Sequence, residues 1–419
     1  MSFQQGLSGL NASSKNLEVI GNNVANANTV GAKASRAEFA DMYASALNGA
    51  GTTSIGIGVN LAAVTQQFTQ GNITTTDNPL DLAINGNGFF EVTNGTQTLY
   101  TRNGQFQANK DGYIVNSAGL QLMGYPADDQ GVIQPGAARA LQLPTGGVDP
   151  NVTTEVNVEM NLDSRLATTL PASGAQIDFN DAATYNNATS ISVYDAKGQD
   201  VAVTYYFQKS ATDSWNVYAT ANGVTLAGTA AAPLPVTSIT FPSDGSAPTA
   251  PTGPVSITIP ATTNSAGAAT LAIPGVQLDL TKATQFGSPF GVTDMSQDGY
   301  AAGKLASLSI ESSGIVMATY SNGQSKPAGQ IELATFRNPQ GLSPQGGNVW
   351  ARTFASGDPT VGTPSTGNMG ALQASALEES NVDLTGELVD MITAQRVYQA
   401  NAQTIKTQDA VLQTLVNLR

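Results

Sequence analysis

Two residue types, cysteine and histidine, are absent from the 419-residue sequence. Without cysteine the chain can form no disulfide and no thiolate metal site, and it has no thiol nucleophile. Without histidine it lacks the commonest general base and the commonest metal ligand. A carboxylate-pair glycosidase would need neither residue, but most other enzyme classes are disfavoured. The sequence therefore predicts no catalytic residues, no cofactor and no metal.

Charge is also scarce. Charged residues make up 11% of the chain, and 17 basic against 31 acidic residues give a net charge of −14. A nucleic-acid partner is not expected, because phosphate binding requires clustered lysine and arginine. No stretch of 18 or more apolar residues occurs, so no membrane insertion is predicted. The opening residues lack a basic and then an apolar region, so no cleaved signal peptide is expected.

The two ends of the chain carry apolar repeats of helical period. From Phe3 to about Asn26, and again from Leu384 onward, apolar residues recur at alternating spacings of four and three, which is typical of heptad helices. Asn381 and Asp383 are candidate N-caps of the second helix. The apolar positions that we call the predicted seam are Phe3, Leu7, Leu10, Leu17, Val24, Leu384, Leu388, Met391, Tyr398, Ile405, Leu412 and Val416.

An apolar stripe of this kind usually faces the core of its own domain. Here both stripes lie at the extreme ends of the chain, and residues 22–28 are rich in Asn, a poor helix former. An isolated helix of this kind is marginal in water, so we expect the ends to become ordered when neighbouring copies bury their seams.

Between the ends, the apolar period changes from about 3.6 to 2. The segments 201–207 and 215–219 alternate as strands do, and Asn-Gly and Asp-Gly pairs recur as signals for hairpin turns. The sequence therefore predicts a mainly β body of antiparallel β-domains, with N- and C-terminal α-helices that pair as a coiled coil. Composition shifts near Gly146 and Phe286 bracket an inserted domain over 146–284.

Two pairs of adjacent carboxylates, Asp128-Asp129 and Glu378-Glu379, could suggest acid–base chemistry or a metal site. Neighbouring residues on a helix or strand do not face one another. Both pairs are therefore predicted to lie on solvated faces.

Short motifs at both ends resemble one family. Gly6-Leu7-Ser8-Gly9-Leu10-Asn11 and residues 19–29, followed by Gly31 and Lys33, resemble the N-terminal signature of flagellar rod and hook proteins. Residues 377–384 and 391–401 resemble the matching C-terminal signature, and 85–90, 100–106 and 122–126 resemble the body of hook and distal rod proteins. The signature positions are Asn22, Asn23, Asn26, Asn28, Thr29, Ser380, Asn381, Val382, Asp383, Gln395 and Asn401.

The resemblance implies an axial subunit of the flagellum. It would be exported by the flagellar type III apparatus, polymerise with itself beneath a hook cap, and contact rod and hook–filament junction proteins. The total length and the insertion favour a hook subunit, which joins rod to filament as a flexible universal joint. A distal rod or junction protein remains an alternative, and a secreted β-rich hydrolase or adhesin is a more distant one.

The implied domain organisation has four parts. Residues 1–28 and 380–419 would form a helical domain lining a central channel, and 29–70 with 365–379 would form connectors. Residues 71–145 and 285–364 would form an inner β-domain, and 146–284 the inserted outer β-domain.

Overall fold

The computed structural model describes residues 2–42, 56, 58–128, 130–144, 146–169 and 177–417, without the side chains of Ser2 and residues 415–417. The chain divides into two compact units. Unit 1 comprises residues 1–145, 307–319 and 325–419, and unit 2 comprises 146–306 and 320–324.

Unit 1 contains both long helices and most of the short strands. The helices are α1 (Ser2–Ala25) and α2 (Leu384–Asn417). Before the insertion the strands are β1 (Ser35–Met42), β2 (Gly58–Gln66), β3 (Ile73–Thr75), β4 (Leu82–Asn85), β5 (Phe89–Thr93), β6 (Thr98–Thr101), β7 (Phe106–Ala108), β8 (Ile114–Asn116), β9 (Gln121–Pro126) and β10 (Arg139–Ala140).

Unit 2 contains strands throughout its length. They are β11 (Glu155–Asn161), β12 (Asn187–Tyr194), β13 (Asp200–Ala211), β14 (Ser214–Ala221), β15 (Val224–Thr225), β16 (Gly228–Thr229), β17 (Ala232–Pro233), β18 (Thr237–Thr240), β19 (Val255–Ile259), β20 (Ile273–Asp279) and β21 (Gly291–Gln297). A single 3₁₀ turn at Ala182–Thr184 precedes β12.

The chain then completes unit 1. Its last strands are β22 (Leu305–Ile310), β23 (Ile315–Tyr320), β24 (Ser325–Ile331), β25 (Leu333–Thr335), β26 (Ser343–Gly346), β27 (Val349–Ala351), β28 (Thr360–Gly362), β29 (Ala371–Ala374) and β30 (Ala376–Glu378), with a 3₁₀ turn at Pro339–Gly341.

The body of unit 1 is built on an extended sheet whose main path runs β22-β23-β24-β9-β5-β6-β27-β26. A mainly aliphatic core in this unit includes Leu82, Phe90 and Leu122. A second, aromatic cluster contains Tyr100 and Phe336, whose rings meet edge to face with centroids 4.8 Å apart. Such pairs add to the free energy gained from burial alone.

Unit 2 is a β structure around one core. Its sheets are ordered β19-β20-β11-β21 and β12-β13-β14-β15, and apolar residues of both contribute to a single buried cluster. Alternate residues of β13 from Val201 to Phe207 point into this core, as their period of two predicts. β14 and β15 are joined through Asn222 and Gly223, which both have positive φ, as a two-residue hairpin turn requires.

The predicted fold class is confirmed: the chain is mainly β, with N- and C-terminal helices in contact with each other. One strand pair departs from the antiparallel expectation, because β11 and β20 pair in parallel over Glu155–Asn157 and Gln277–Asp279. None of the helices in the described part of the chain is long and apolar enough to cross a membrane.

The segments predicted as connectors contain paired strands. β1 and β2 form an antiparallel ribbon beside α1, while part of 29–70, namely 43–55 and 57, lies outside the described residues. β29 pairs with β4, and β30 pairs with β3. The small polar residues of 365–379 that suggested a connector therefore include strand residues, because the body supplies partner strands for them.

Candidate assembly site

The two terminal helices meet through small residues. A Cβ atom on Gly9 would lie 2.8 Å from the side-chain nitrogen of Asn401, and one on Gly6 would lie 3.2 Å from Cγ1 of Ile405. Ser13 continues this face and is buried, with its hydroxyl donating to the Gly9 carbonyl at 2.8 Å. The glycines therefore let α2 side chains approach the backbone of α1 closely.

Much of the predicted seam lies outside this contact. Phe3 on α1 is 45% exposed and Leu388 on α2 is 44% exposed. The exposed seam residues are Phe3, Leu7, Leu384, Leu388, Tyr398 and Leu412, and the half-buried ones are Leu10, Leu17, Val24, Met391 and Ile405. Val416 lies in α2, but its side chain is outside the described residues. The single subunit thus leaves a large part of its apolar helix surface uncovered.

A groove of about 550 Å³ lies between α1, α2 and β1. Its walls include the apolar side chains of Val19, Ile20, Phe39 and Val397. Ile20 is buried there, whereas Phe39 is exposed. The groove adds to the apolar surface that the helices present.

Asn23 fastens the end of α1 to β1 and to α2. Its side chain accepts a hydrogen bond from the Ser35 amide and donates to the Ser35 carbonyl, both at 2.8 Å. It also donates to a carboxylate oxygen of Glu387 at 2.8 Å. With 3% of its surface exposed, this side chain satisfies its own hydrogen-bonding capacity with groups from two other elements, β1 and α2.

Asn381 makes an equivalent connection just before α2. Its side-chain oxygen accepts from the Ala34 amide at 2.7 Å, and its nitrogen donates to the Gln67 carbonyl at 2.7 Å. Asp383 is the residue that caps α2, since its side chain accepts from the Thr385 amide at 3.0 Å. Of the two candidate caps, Asn381 therefore has a different role, joining the two ends of the chain.

The other signature residues make fewer hydrogen bonds to distant parts of the chain. Asn26 donates to the Asn22 carbonyl at 2.9 Å, Thr29 donates to Asn26 at 3.4 Å, and Ser380 accepts from the Val382 amide at 3.3 Å. Asn28 and Gln395 are exposed.

Replacing Asn23 by alanine tests this arrangement. The Ser35 amide and carbonyl would lose their partners, so we expect the free energy of unfolding to fall by about 1–3 kcal/mol. The neighbouring residue Asn22 is exposed and provides the matched control, Asn22→Ala, which should change stability by less than about 0.5 kcal/mol. Urea unfolding followed by circular dichroism compares the two, and equal losses would contradict the role assigned to Asn23.

A buried ion cluster lies beside this junction. Glu378, on β30, accepts from Lys33 at 2.6 Å through one carboxylate oxygen and from Arg102 at 3.0 Å through the other. The Gly71 amide donates to the same oxygen as Lys33, at 2.8 Å. Arg102 also donates to the Gly86 carbonyl at 2.7 Å. The cluster joins the N-terminal segment, the β body and the C-terminal segment.

The electrostatics of the cluster are dominated by burial. Glu378 has no exposed surface, and Lys33 and Arg102 are 7% and 5% exposed. Burial lowers the pKa of Lys33 and of Arg102, and the negative charge of Glu378 acts against both shifts. Two cations thus depend on one carboxylate for their counter-charge.

The prediction for Glu378-Glu379 is wrong for Glu378 and fits Glu379, which is exposed. The side chains of Glu378 and Glu379 point to opposite sides of the chain. Only the side chain of Glu378 points towards the two cations. Asp128 is exposed, and Asp129 lies outside the described residues. Lys33 and Arg102 lie in the signature motifs, but no local pattern in the sequence connects them with Glu378.

Gly31, which lies in the N-terminal signature, has a backbone conformation that favours glycine. Its φ of +70° lies in the left-handed region, and its amide donates to the Glu378 carbonyl at 2.8 Å. A Cβ atom there would lie 2.6 Å from the Asn103 nitrogen, so a larger residue would displace the segment. Among the described residues, no group of three or more carboxylates is arranged to hold a metal ion.

Family models match four parts of the chain. Residues 3–33 match the flagella basal body rod protein model, and 83–196 match the flagellar hook protein FlgE/F/G D1 domain. Residues 161–300 match the flagellar basal body protein FlaE D2 domain, and 373–418 match the C-terminal model of the flagellar basal body rod FlgEFG proteins.

Relatives that match over the whole length of the chain are flagellar hook proteins. The chain is 42% identical to the flagellar hook protein FlgE of Salmonella typhimurium and 40% identical to that of Escherichia coli, in each case over 100% of both chains. It is 32% identical to the FlgE of Treponema pallidum over 100% of this chain and 99% of the relative.

A solved structure supports the fold. The crystal structure of the Helicobacter pylori flagellar hook protein FlgE2 matches with a TM-score of 0.53 and 15% identity, covering 73% of this chain and 100% of that one. With its terminal helices, its signature residues at their junction and its whole-length relatives, the chain belongs to the flagellar hook protein family.

Proposed function

We propose that this chain is a non-enzymatic structural subunit of the flagellar hook, which polymerises into a curved hollow tube. The observation that carries the proposal is the apolar surface left uncovered on both terminal helices, of which the exposed part of the predicted seam is the centre. Exposed apolar surface of this extent marks an interaction site. Membership of the hook protein family supports a second copy of the chain as the partner.

The proposal extends to location and partners. The subunit would lie outside the cell in the hook, exported without a cleaved signal peptide by the flagellar type III apparatus. Its neighbours would be rod proteins, the hook cap and the hook–filament junction protein. The domain organisation predicted from the sequence is retained as part of the proposal, with residues 1–28 and 380–419 lining the channel.

A physical mechanism for a universal joint follows from the two kinds of surface. The terminal helices present apolar side chains that interlock when desolvated, so their contacts should resist twisting. The sequence of the β units is rich in Ser, Thr, Asn and Gly and has few charges, which would suit contacts that slide as a subunit passes from the inner to the outer side of a bend. Torque would then pass through the inner helices while the outer contacts adjust.

Electron microscopy tests the proposal. The full-length chain and a copy lacking residues 1–28 and 380–419 are concentrated and imaged by negative stain. We expect curved tubes only from the full-length chain, because only this chain has the helices. The shorter copy retains Lys33, Arg102 and Glu378, so its body should still fold, which circular dichroism checks.

Two results would contradict the proposal. Tubes formed by the shorter copy would show that the assembly contacts lie on the β units. A full-length chain that neither polymerises alone nor restores hooks to cells lacking their own hook subunit would contradict the assignment to the hook, and growth of straight rods would favour a distal rod protein.

A further inference from the structure

Two buried glutamates lie in neighbouring strand segments of unit 1, away from the helices. Glu91 lies on β5, and Glu332 lies between β24 and β25. β5 and β25 pair antiparallel with Phe90 opposite Leu333 and Phe89 opposite Ala334, so Glu91 and Glu332 follow the last paired residues at the same end of this strand pair. They are close enough for the charge of Glu332 to act on Glu91. Both side chains are buried, with 9% of Glu91 and 3% of Glu332 exposed.

Neither carboxylate is neutralised. In the ion pairs formed by the described residues, no lysine or arginine pairs with Glu91 or Glu332. The Oε2 atoms of both side chains are buried and have no hydrogen-bond partner. This contrasts with Glu378 in the same unit, which has two cations.

The other titratable groups around the pair come from neighbouring elements. Tyr125 on β9 donates its hydroxyl to Oε1 of Glu332 at 3.0 Å. Tyr100 on β6 lies opposite Glu91 in the strand register. Arg352 and Asp358, whose charges act on Tyr100, form an ion pair with each other. Among the described residues, the pair therefore receives one hydroxyl donor and no direct ion pair.

Two neighbouring like charges in a buried site cannot both be ionised without a large repulsion, and one bound proton removes it. The Tyr125 hydrogen bond favours the ionised form of Glu332, which leaves the proton on Glu91. We propose that Glu91 and Glu332 together hold one proton, resident on Glu91, and that losing this proton as the pH rises towards neutral loosens unit 1.

The direction of the pH dependence follows from the pKa of each group. Burial, and then the charge of Glu332, raises the pKa of Glu91 from 4.5 to about 7. Burial also raises the pKa of Glu332. Between pH 4.5 and about 7 the folded chain keeps a proton that the unfolded chain has released. Stability is therefore highest at the acid end of this window, falls as the pH rises through it, and levels off above it.

Scanning calorimetry of the full chain between about pH 5 and pH 8 tests the proposal on Glu91→Gln and wild type. We expect the wild-type melting temperature to fall by at least about 4 °C across this range. The reason is that the expected loss in the free energy of unfolding corresponds to several degrees for a domain of this size. The Glu91→Gln variant should lose most of this slope, leaving only the part due to Glu332, and melt higher than wild type at pH 8. Glu311→Gln, at an exposed carboxylate of the same unit, should keep the wild-type slope.

Infrared spectroscopy reads the proton itself. The wild-type protein at pH 6 should show the carbonyl band of a protonated carboxyl group, which disappears by pH 8 and is absent from Glu91→Gln. A pH slope that is the same in Glu91→Gln and wild type would overturn the proposal. So would a calcium-dependent rise in melting temperature that Glu91→Gln loses, because a cation would then replace the proton.

Discussion

Replacing Glu378 by glutamine is expected to lower the free energy of unfolding by about 3–5 kcal/mol, the usual cost of breaking a buried ion pair from one side. The substitution keeps the shape of the side chain and an oxygen for the Gly71 amide. It removes the only carboxylate that Lys33 and Arg102 contact among the ion pairs of the described residues. Two buried cations would then face each other without compensation.

Two further variants separate the loss of charge from a general disturbance. Glu379→Gln changes the adjacent exposed carboxylate, and we expect it to alter stability by less than about 0.5 kcal/mol. Lys33→Met in the Glu378→Gln background removes one of the unpaired cations and should restore part of the loss. Urea unfolding of the three variants gives the comparison. Glu378→Gln with wild-type stability would show that the cations find other partners.

Replacing Leu388 by aspartate should abolish polymerisation while leaving the single subunit intact. Leu388 is 44% exposed in the subunit, so the change removes little internal packing. In a polymer that buries this face, the carboxylate would lie in an apolar contact at a cost of several kcal/mol. Since each 1.4 kcal/mol changes an equilibrium tenfold, the critical concentration should rise by at least about 100-fold.

Sedimentation across a concentration series measures that change, and thermal unfolding of the dilute protein checks that the subunit is unchanged. Gln403→Asp, at an exposed polar position of α2, is the matched control and should polymerise more nearly as wild type does. Ile405→Asp should differ from both, because Ile405 packs on Gly6 within the subunit and its loss should also weaken the pairing of α1 and α2. Normal tubes from Leu388→Asp would show that this face of α2 is not an assembly contact.

Local patterns in the sequence predict much of this fold. The heptad spacing locates both helices to within a few residues, and the alternation of Val201, Val203 and Tyr205 locates β13 with its buried face. The Asn222-Gly223 turn follows in the same way from the φ values that such a turn needs. These features depend on residues close together in the chain, where period and turn chemistry operate.

Contacts between distant segments could not be predicted in this way. The helix contact uses Gly6, Gly9 and Ser13, because small residues permit close approach of the helices. A search for apolar residues at heptad positions selects the larger side chains beside them instead. Glu378 and Glu91 look like ordinary strand-edge carboxylates until their neighbours are known. Their charge environments come from residues hundreds of positions away, and no local period encodes them.

The Lys33–Glu378 ion pair has a consequence for how the subunit is made, because it joins positions 345 residues apart. Strands β3 and β4 also receive their partners, β30 and β29, from the last fifty residues of the chain. During synthesis the N-terminal part emerges first, and it then carries cations without a counter-charge and strands without partners. The body of the subunit can therefore close only when the chain has been made as far as Glu378, and a chain that ends before β29 leaves β3, β4 and Lys33 without these partners.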